Sequence, residues 1–223
     1  MPSKKIWLTI DDAPSLHMKT KVDYLKKQGI PTLFYVRGSF VATYPEQVIY
    51  AIKQGFLIGN HSYTHPYFSD CSLQTCKKEI QETERVIDAC YQKAGIERPY
   101  KLIRLPFADR GAGEHAAQAK TLEQEQKVVH IQDFLKASGF IQPSFAHKDS
   151  FIDTFWDWDT QDYKKKHIQD PRAYEAYLQK SYDACQGDGA ILLVHDFAHN
   201  QHLFELTMHF LQEKNVEFMP FGI

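Results

Sequence analysis

No stretch of the 223-residue chain approaches the roughly 20 consecutive apolar residues that cross a bilayer, and no basic region followed by an apolar run opens it. These two absences lead us to expect no membrane span and a soluble chain, cytoplasmic as the sequence stands and periplasmic or secreted if a signal peptide was removed. Excess charge is missing as well. With 26 Lys and Arg against 28 Asp and Glu the net charge is -2, which creates no field to gather phosphate backbones or anionic lipid, so nucleic acid is not an expected partner. The four cysteines, Cys71, Cys76, Cys90 and Cys185, include no C-x-x-C pair and no zinc-ribbon spacing, which argues against a thiolate metal site. Cys76 and Cys90 fall instead in the helical series Leu73, Cys76, Ile80, Thr83, Ile87, Cys90, Ala94, and Cys185 follows Tyr174, Leu178 and Tyr182, as buried thiols do. Repeats, low-complexity tracts and Pro/Ser-rich linkers are also absent, so a single domain over residues 1–223 is expected. Nothing in the pattern speaks to oligomeric state.

What the chain does contain is an ordinary globular composition, 43% hydrophobic and 24% charged, at a length able to bury about 70% of its unfolded surface. Short β-rich apolar runs alternate with amphipathic segments, which predicts an α/β fold. The strand candidates are Ile6 to Asp11, Thr32 to Val36, Phe56 to Asn60, Leu102 to Pro106, Phe140 to Ala146, Phe155 to Asp159, Ala190 to His195 and Val216 to Pro220. Seven or eight such strands suffice for a distorted (β/α) barrel with its active site at the carboxyl ends of the strands. Helix ends are marked: Lys19 to Gln28 stops at Gly29 with Pro31 beyond, and a helix from Ser72 to Ala94 opens on a capping serine and stops at Gly95. The polar stretch Gly111 to Gln126 reads as an insertion before or within a helix ending near Ala137, part of a longer departure over residues 108–138.

Chemistry gathers where apolar runs end. Asp11-Asp12 closes Ile6-Trp7-Leu8-Thr9-Ile10; two adjacent carboxylates repel unless a cation or an arginine offsets them, and strand alternation would give them separate tasks. Alone, the pair reads better as a solvated turn. His61-Ser62-Tyr63-Thr64-His65 follows Phe56-Leu57-Ile58-Gly59-Asn60, and imidazoles four residues apart converge on one ion if the backbone makes a helical turn. A carboxylate and two histidines form an open site for zinc or another first-row divalent ion, whereas H-x-x-x-H alone is weak evidence, because His195 and His199 repeat it. His199, His202 and His209 are expected to be solvated or capping rather than a second metal site. Arg104-Leu105-Pro106-Phe107, Trp156-Asp157-Trp158-Asp159-Thr160-Gln161-Asp162-Tyr163 and Leu193-Val194-His195-Asp196 each have a dull reading singly. Together the five segments set polar groups at the ends of five strand candidates, where barrel enzymes build their sites.

In that order the segments resemble the motifs of the polysaccharide deacetylases of carbohydrate esterase family 4, the NodB-homology domain. The family's T-F-D-D-G is similar to Thr9-Ile10-Asp11-Asp12-Ala13, its H-[ST]-x-x-H to His61 through His65, its R-x-P-[FY] to Arg104 through Phe107, its D-x-x-D-W to Asp159 through Tyr163, and its L-x-H to Leu193-Val194-His195. The resemblance implies a hydrolase of carbohydrate metabolism that removes N-acetyl groups from an amino-sugar oligomer or polysaccharide, chitin-like or peptidoglycan-like. It implies a metal held by Asp12, His61 and His65, with zinc expected and cobalt, nickel and iron compatible with the same donors. Asp11 would be the general base and His195 the general acid; Arg104 would pair with Asp11, and Asp159 or Asp162 would orient Arg104 or raise the basicity of His195. Substrate contacts are expected at Pro106, Phe107, Trp158 and Leu193, the last two lining a pocket for the acetyl methyl. Ala13 in place of glycine and Tyr163 in place of tryptophan depart from the family pattern, and a methyl group at position 13 is expected to restrict the backbone and crowd a ligand. A metal-dependent amidohydrolase acting on a non-sugar or small cyclic amide, and a non-catalytic carbohydrate-binding barrel, are the alternatives.

Overall fold

A computed structural model describes residues 3–146, 151–185, 187 and 189–222. The strand β1 (Lys5–Ala13) lies at the centre of a parallel sheet. On one side it pairs with β2 (Thr32–Val36), which pairs with β3 (Leu57–Asn60); on the other it pairs with β5 (Gly189–His195), which pairs with β4 (Trp158–Asp159). The short β6 (Glu217–Phe218) pairs with the start of β1. A buried parallel strand needs apolar side chains on both faces, which β5 supplies, while β1 supplies them on the face toward the main core. Ile6, Leu8 and Ile10 of β1 and Ala190, Leu192 and Val194 of β5 enter the main core. Helices α1 (Met18–Gln28) and α8 (Gln201–Glu213) cover that face with Met18, Val22 and Leu25, and with Leu203, Phe204, Met208 and Leu211.

The opposite, inward row of β1 carries Thr9 and Asp11. Around it Leu33 and Tyr35 of β2 share a small cluster with Leu102, and the fully buried Arg104 fills the polar centre. A third cluster, including Phe68, Cys76, Ile80, Ile103, Ile131 and Leu135, packs α4 (Leu73–Ala94) against α5 (Leu122–Ala137).

The fold is that of a distorted (β/α) barrel, with six strands among the described residues rather than the expected seven or eight. The two missing candidates survive as isolated bridges, Asn60↔Ile103 and Lys101↔Phe140. Their ladders are cut short because the carbonyl of Ile103 accepts from Thr154 N, Pro106 begins a 3-10 turn, and residues Ser144–Ala146 form another. Among the described residues, the pairing does not run as a closed ring. The helix expected from Ser72 appears as α4, with Ser72 Oγ accepting from Thr75 N and Gly95 left-handed at φ 70°. The 111–126 segment is helical from Leu122 onward, earlier than expected. Thr121 caps Gln124 N while the Gln124 side chain accepts from Lys120 N, a capping-box pattern legible in the sequence.

Of the cysteines, Cys76 and Cys90 are buried and Cys71 and Cys185 partly so, all four as free thiols. No helix among the described residues is long and apolar enough to cross a membrane.

Candidate active site and metal centre

Pairing between β1 and β2 passes from Ile10↔Phe34 to Ala13↔Val36, three residues on β1 against two on β2. This bulge turns Asp12 into the left-handed region at φ 62°, so Asp11 and Asp12 line one pocket while facing different partners. Ala13 itself joins the main core and is not left-handed; the bulge at Asp12 supplies the turn, so the expected crowding by its methyl does not arise.

The histidine segment makes no helical turn either. It leaves β3 through Ser62 at φ 59° and His65 at φ 65°, which folds the imidazoles onto each other with Nε2 atoms 3.1 Å apart. Glu79 of α4 holds this loop by accepting from Tyr63 N, Thr64 N and Thr64 Oγ1 at 2.7 to 2.9 Å. Asn60 accepts from Ser62 N and donates to Glu84 and to the Ile80 carbonyl. Sequence reading passed over Glu79, although a carboxylate three residues after Cys76 on the apolar face of α4 was the available signal.

Asp12, His61 and His65 each offer a ligand atom, all within 4.8 Å of one another, the one such group of three among the described residues. Their chemistry fits a divalent cation. His61 Nδ1 donates to the Arg104 carbonyl at 2.7 Å, which leaves the Nε2 lone pair facing the pocket. Burial lowers the pKa of His61 to about 3. Burial, reinforced by His61, lowers that of His65 to about 2, so both rings are neutral donors. Burial raises Asp12 to about 6, and its Oδ1 is buried without a hydrogen-bond partner. An orphaned carboxylate oxygen beside two imidazole lone pairs is what a cation satisfies.

Asp11 lies beside this group, its Oδ2 3.5 Å from His61 Nε2. Arg104 Nη1 donates to Asp11 Oδ1 at 2.7 Å and to Thr9 Oγ1 at 2.8 Å, while Nε and Nη2 bind the carbonyls of Thr154 and Phe155. The guanidinium lies 4.6 Å from the Tyr35 ring, so a fully buried charge is paired on every side.

Across the pocket His195 Nδ1 donates to Asp162 Oδ1 at 2.7 Å, and Asp162 Oδ2 accepts from His195 N and Asn200 Nδ2, each at 2.9 Å. Burial alone would lower the pKa of His195, but the charge and hydrogen bond of Asp162 raise it to about 9. Asp159 does neither task expected of it. Its carboxylate accepts from Gln161 N and Tyr163 Oη, because the turn after β4 folds back on it, and burial raises its pKa. Tyr163, the tryptophan replacement, sets its ring edge-on to His195 with centroids 4.9 Å apart.

The pocket has a volume of about 430 Å³. Leu193 and Phe107 line it as expected, with Phe107 stacked on Tyr67 at 3.8 Å. Pro106 and Trp158 do not line it. Pro106 is buried beneath Phe107 as the start of the 3-10 turn. Trp158 points into the main core, where Nε1 donates to Ser181 Oγ and the ring meets Tyr182 and Phe210. Trp156 lines the pocket in its place, because β4 begins only at Trp158 and the two tryptophans do not share one pleat. Glu114 and His115 from the 108–138 departure complete one wall, and Arg37, from the end of β2, lies on another. His199, His202 and His209 stay outside; His199 stacks on Phe197 and His209 pairs with Glu213.

A parallel α/β frame with three metal-type donors and two buried carboxylate–cation pairs at the carboxyl ends of its strands defines the class of protein. The polysaccharide deacetylase family matches residues 1–128, and the chain belongs to it. The chitooligosaccharide deacetylase of Rhizobium leguminosarum bv. trifolii is 36% identical over 93 residues, 41% of this chain and 43% of that protein. The peptidoglycan N-acetylmuramic acid deacetylase of Bacillus subtilis is 29% identical over 197 residues, 86% of this chain and 32% of that protein. The chain therefore spans less than half the length of these curated relatives.

A family 4 carbohydrate esterase from Streptomyces lividans, solved in complex with acetate, superposes with a TM-score of 0.65 at 22% identity, over 97% of this chain and 92% of that one. A family 4 pseudoenzyme from Bacillus anthracis superposes with a TM-score of 0.66 at 20% identity, over 96% of this chain and 63% of that one. Fold is shared with both, so activity has to be argued from side chains.

Proposed function

We propose that the chain is a single catalytic domain that hydrolyses N-acetyl groups from an amino-sugar oligomer or polysaccharide with the help of a divalent cation. One observation carries this reading: the Asp12, His61, His65 group, the Asp11–Arg104 pair and the His195–Asp162 pair face one pocket. Mere sugar binding needs neither a positioned base nor a positioned acid. The relatives named as chitooligosaccharide and peptidoglycan deacetylases supply the substrate class.

A cation held by Asp12, His61 and His65, with zinc expected from the donor set, supplies Lewis acidity toward the acetyl carbonyl oxygen. The chain's own groups then divide the work. Arg104 holds Asp11 Oδ1 and leaves Oδ2 toward the pocket to take a proton from the attacking water. As oxygen bonds to the carbonyl carbon and the C–N bond breaks, His195 Nε2 gives its proton to the departing amine, the imidazolium being held by Asp162. Acetate and the free amino sugar are the products. Leu193 and Trp156 supply apolar wall for the acetyl methyl.

The test is acetate release from N-acetylglucosamine oligomers and peptidoglycan fragments by the zinc-loaded protein. Asp11→Asn is expected to keep its bound zinc after dialysis and to lose at least about a hundredfold in kcat, the scale of a general base. His65→Ala is expected to lose the zinc. Wild-type turnover in Asp11→Asn, or full metal content in His65→Ala, removes the assignment. Hydrolysis of small cyclic amides without acetate release would point to the amidohydrolase alternative.

A further inference from the structure

Arg37 follows β2 and lines the pocket beside Asp12, yet the mechanism leaves it without a task. Its guanidinium carries five N–H groups. Nη2 donates to the Thr64 carbonyl at 3.0 Å, and the plane lies 4.3 Å from the Phe40 ring. Nη1 is 3.7 Å from Asp12 Oδ1, too far for a hydrogen bond, and Nε is buried with no hydrogen-bond partner. What sets Arg37 apart is the lack of a carboxylate at hydrogen-bond distance: Arg104 holds Asp11 at 2.7 Å, and Arg98, whose Nε is likewise buried without a partner, holds Glu84 and Asp88 at 2.8 Å. The carboxylate nearest Arg37 belongs to the metal donors, so with a cation in place Arg37 adds positive charge next to positive charge. An anion arriving with the substrate would offset both.

The fold gives this charge a direction. In the sheet order β2 and β4 lie on opposite sides of β1, so Arg37 stands on one wall and Asp159 on the other. A substrate carrying a negative group is thereby oriented with that group toward β2.

Building on the deacetylase reading, we propose that Arg37 is a specificity-determining residue that receives an anionic substituent, such as a carboxylate, carried on the same sugar unit as the acetamido group. The same unit is required because Nη1 lies within 4 Å of a metal donor oxygen, where only atoms close to the reacting amide arrive. The hydrogens left unused on Nη1 make the contact.

Calorimetric binding to zinc-loaded Asp11→Asn, whose turnover is expected to be at least about a hundredfold slower, tests the proposal with two glycan fragments. One carries the lactyl carboxylate of N-acetylmuramic acid; the other is the same fragment with that carboxylate converted to its neutral methylamide. The acidic fragment is expected to bind at least about tenfold tighter, the range of a charge-assisted hydrogen bond. Adding Arg37→Leu should abolish the difference, and Arg37→Lys should keep part of it, with bound zinc unchanged in both. Equal binding of the two fragments before Arg37 is altered overturns the assignment. So does an Arg37→Leu effect that weakens both fragments alike and strips the zinc, because Arg37 would then serve Asp12. Acetate release by the wild-type protein is read separately: its absence from both fragments defeats the deacetylase reading without touching the binding comparison.

Discussion

At the scale of single residues, His195 shows how a neighbour decides between two opposing effects. Burial disfavours its charge, yet Asp162 at 2.7 Å prevails and carries the pKa from 6.5 to about 9. The proton needed by a leaving amine is thus loaded at neutral pH and lost as pH rises through about 9, giving turnover an alkaline limb there. Asp162→Asn removes the charge that prevails and leaves burial, so the limb is expected to move down by about one to two pH units, read from the pH profile of kcat. The same shift enters stability with a fixed sign. A group whose folded-state pKa exceeds the unfolded value of 6.5 stabilises fully below 6.5 and ceases to do so above about 9. Denaturant midpoints measured across that window should fall toward high pH, and fall less in Asp162→Asn.

At the scale of elements, the loop that carries His61 and His65 is shaped by what packs behind it. The helix α2 (Gly38–Thr43) begins against residues 62–63, with Gly38 N donating to the Ser62 carbonyl and Ser39 N to that of Tyr63. A Cβ at position 38 would stand 2.3 Å from the Tyr63 ring and 2.7 Å from Thr83 Oγ1, with backbone at 3.1 Å behind. Gly38→Ala is therefore expected to cost about 1–3 kcal/mol in urea unfolding and to loosen zinc retention, since the displaced loop carries both histidines. Unchanged stability and zinc content would mean that the loop yields freely. Helices were the most legible elements, because Ser72, Gly29 and Gly95 act through contacts within their own turns. Strands were less so: Leu102 to Pro106 has the composition of a strand, but its carbonyls are claimed by residue 154 as well as by β3.

At the scale of the whole molecule, a buried ion pair joins the first loop to the last long strand. Lys21 Nζ, on the fully buried face of α1, donates to Asp196 Oδ1 at 2.7 Å, and Asp196 also accepts from Ser15 N and Ser15 Oγ. Asp196 N returns a bond to the Asp11 carbonyl, so Asp11 on β1 and His195 on β5 share one brace. Lys21→Met leaves the Asp196 carboxylate buried without its cation and is expected to cost about 3–5 kcal/mol, measured by equilibrium unfolding. A loss below about 1 kcal/mol would show that the two serine contacts suffice.

Local order along the chain determined the apolar runs, the capped helices and the polar groups that end each run. Asp11, Asp12, His61, His65, Arg104 and His195 were therefore legible, because a strand's end and the residue after it are neighbours in sequence as well as in space. Tertiary structure alone decided which of Asp159 and Asp162 holds His195, which of Trp156 and Trp158 meets the pocket, and that Arg37 stands beside Asp12. Those outcomes follow from a one-residue bulge, from left-handed angles at Asp12, Ser62, His65 and Gln161, and from contacts between strands far apart in the chain. A bulge redirects every side chain after it, and no composition or periodicity encodes where it falls.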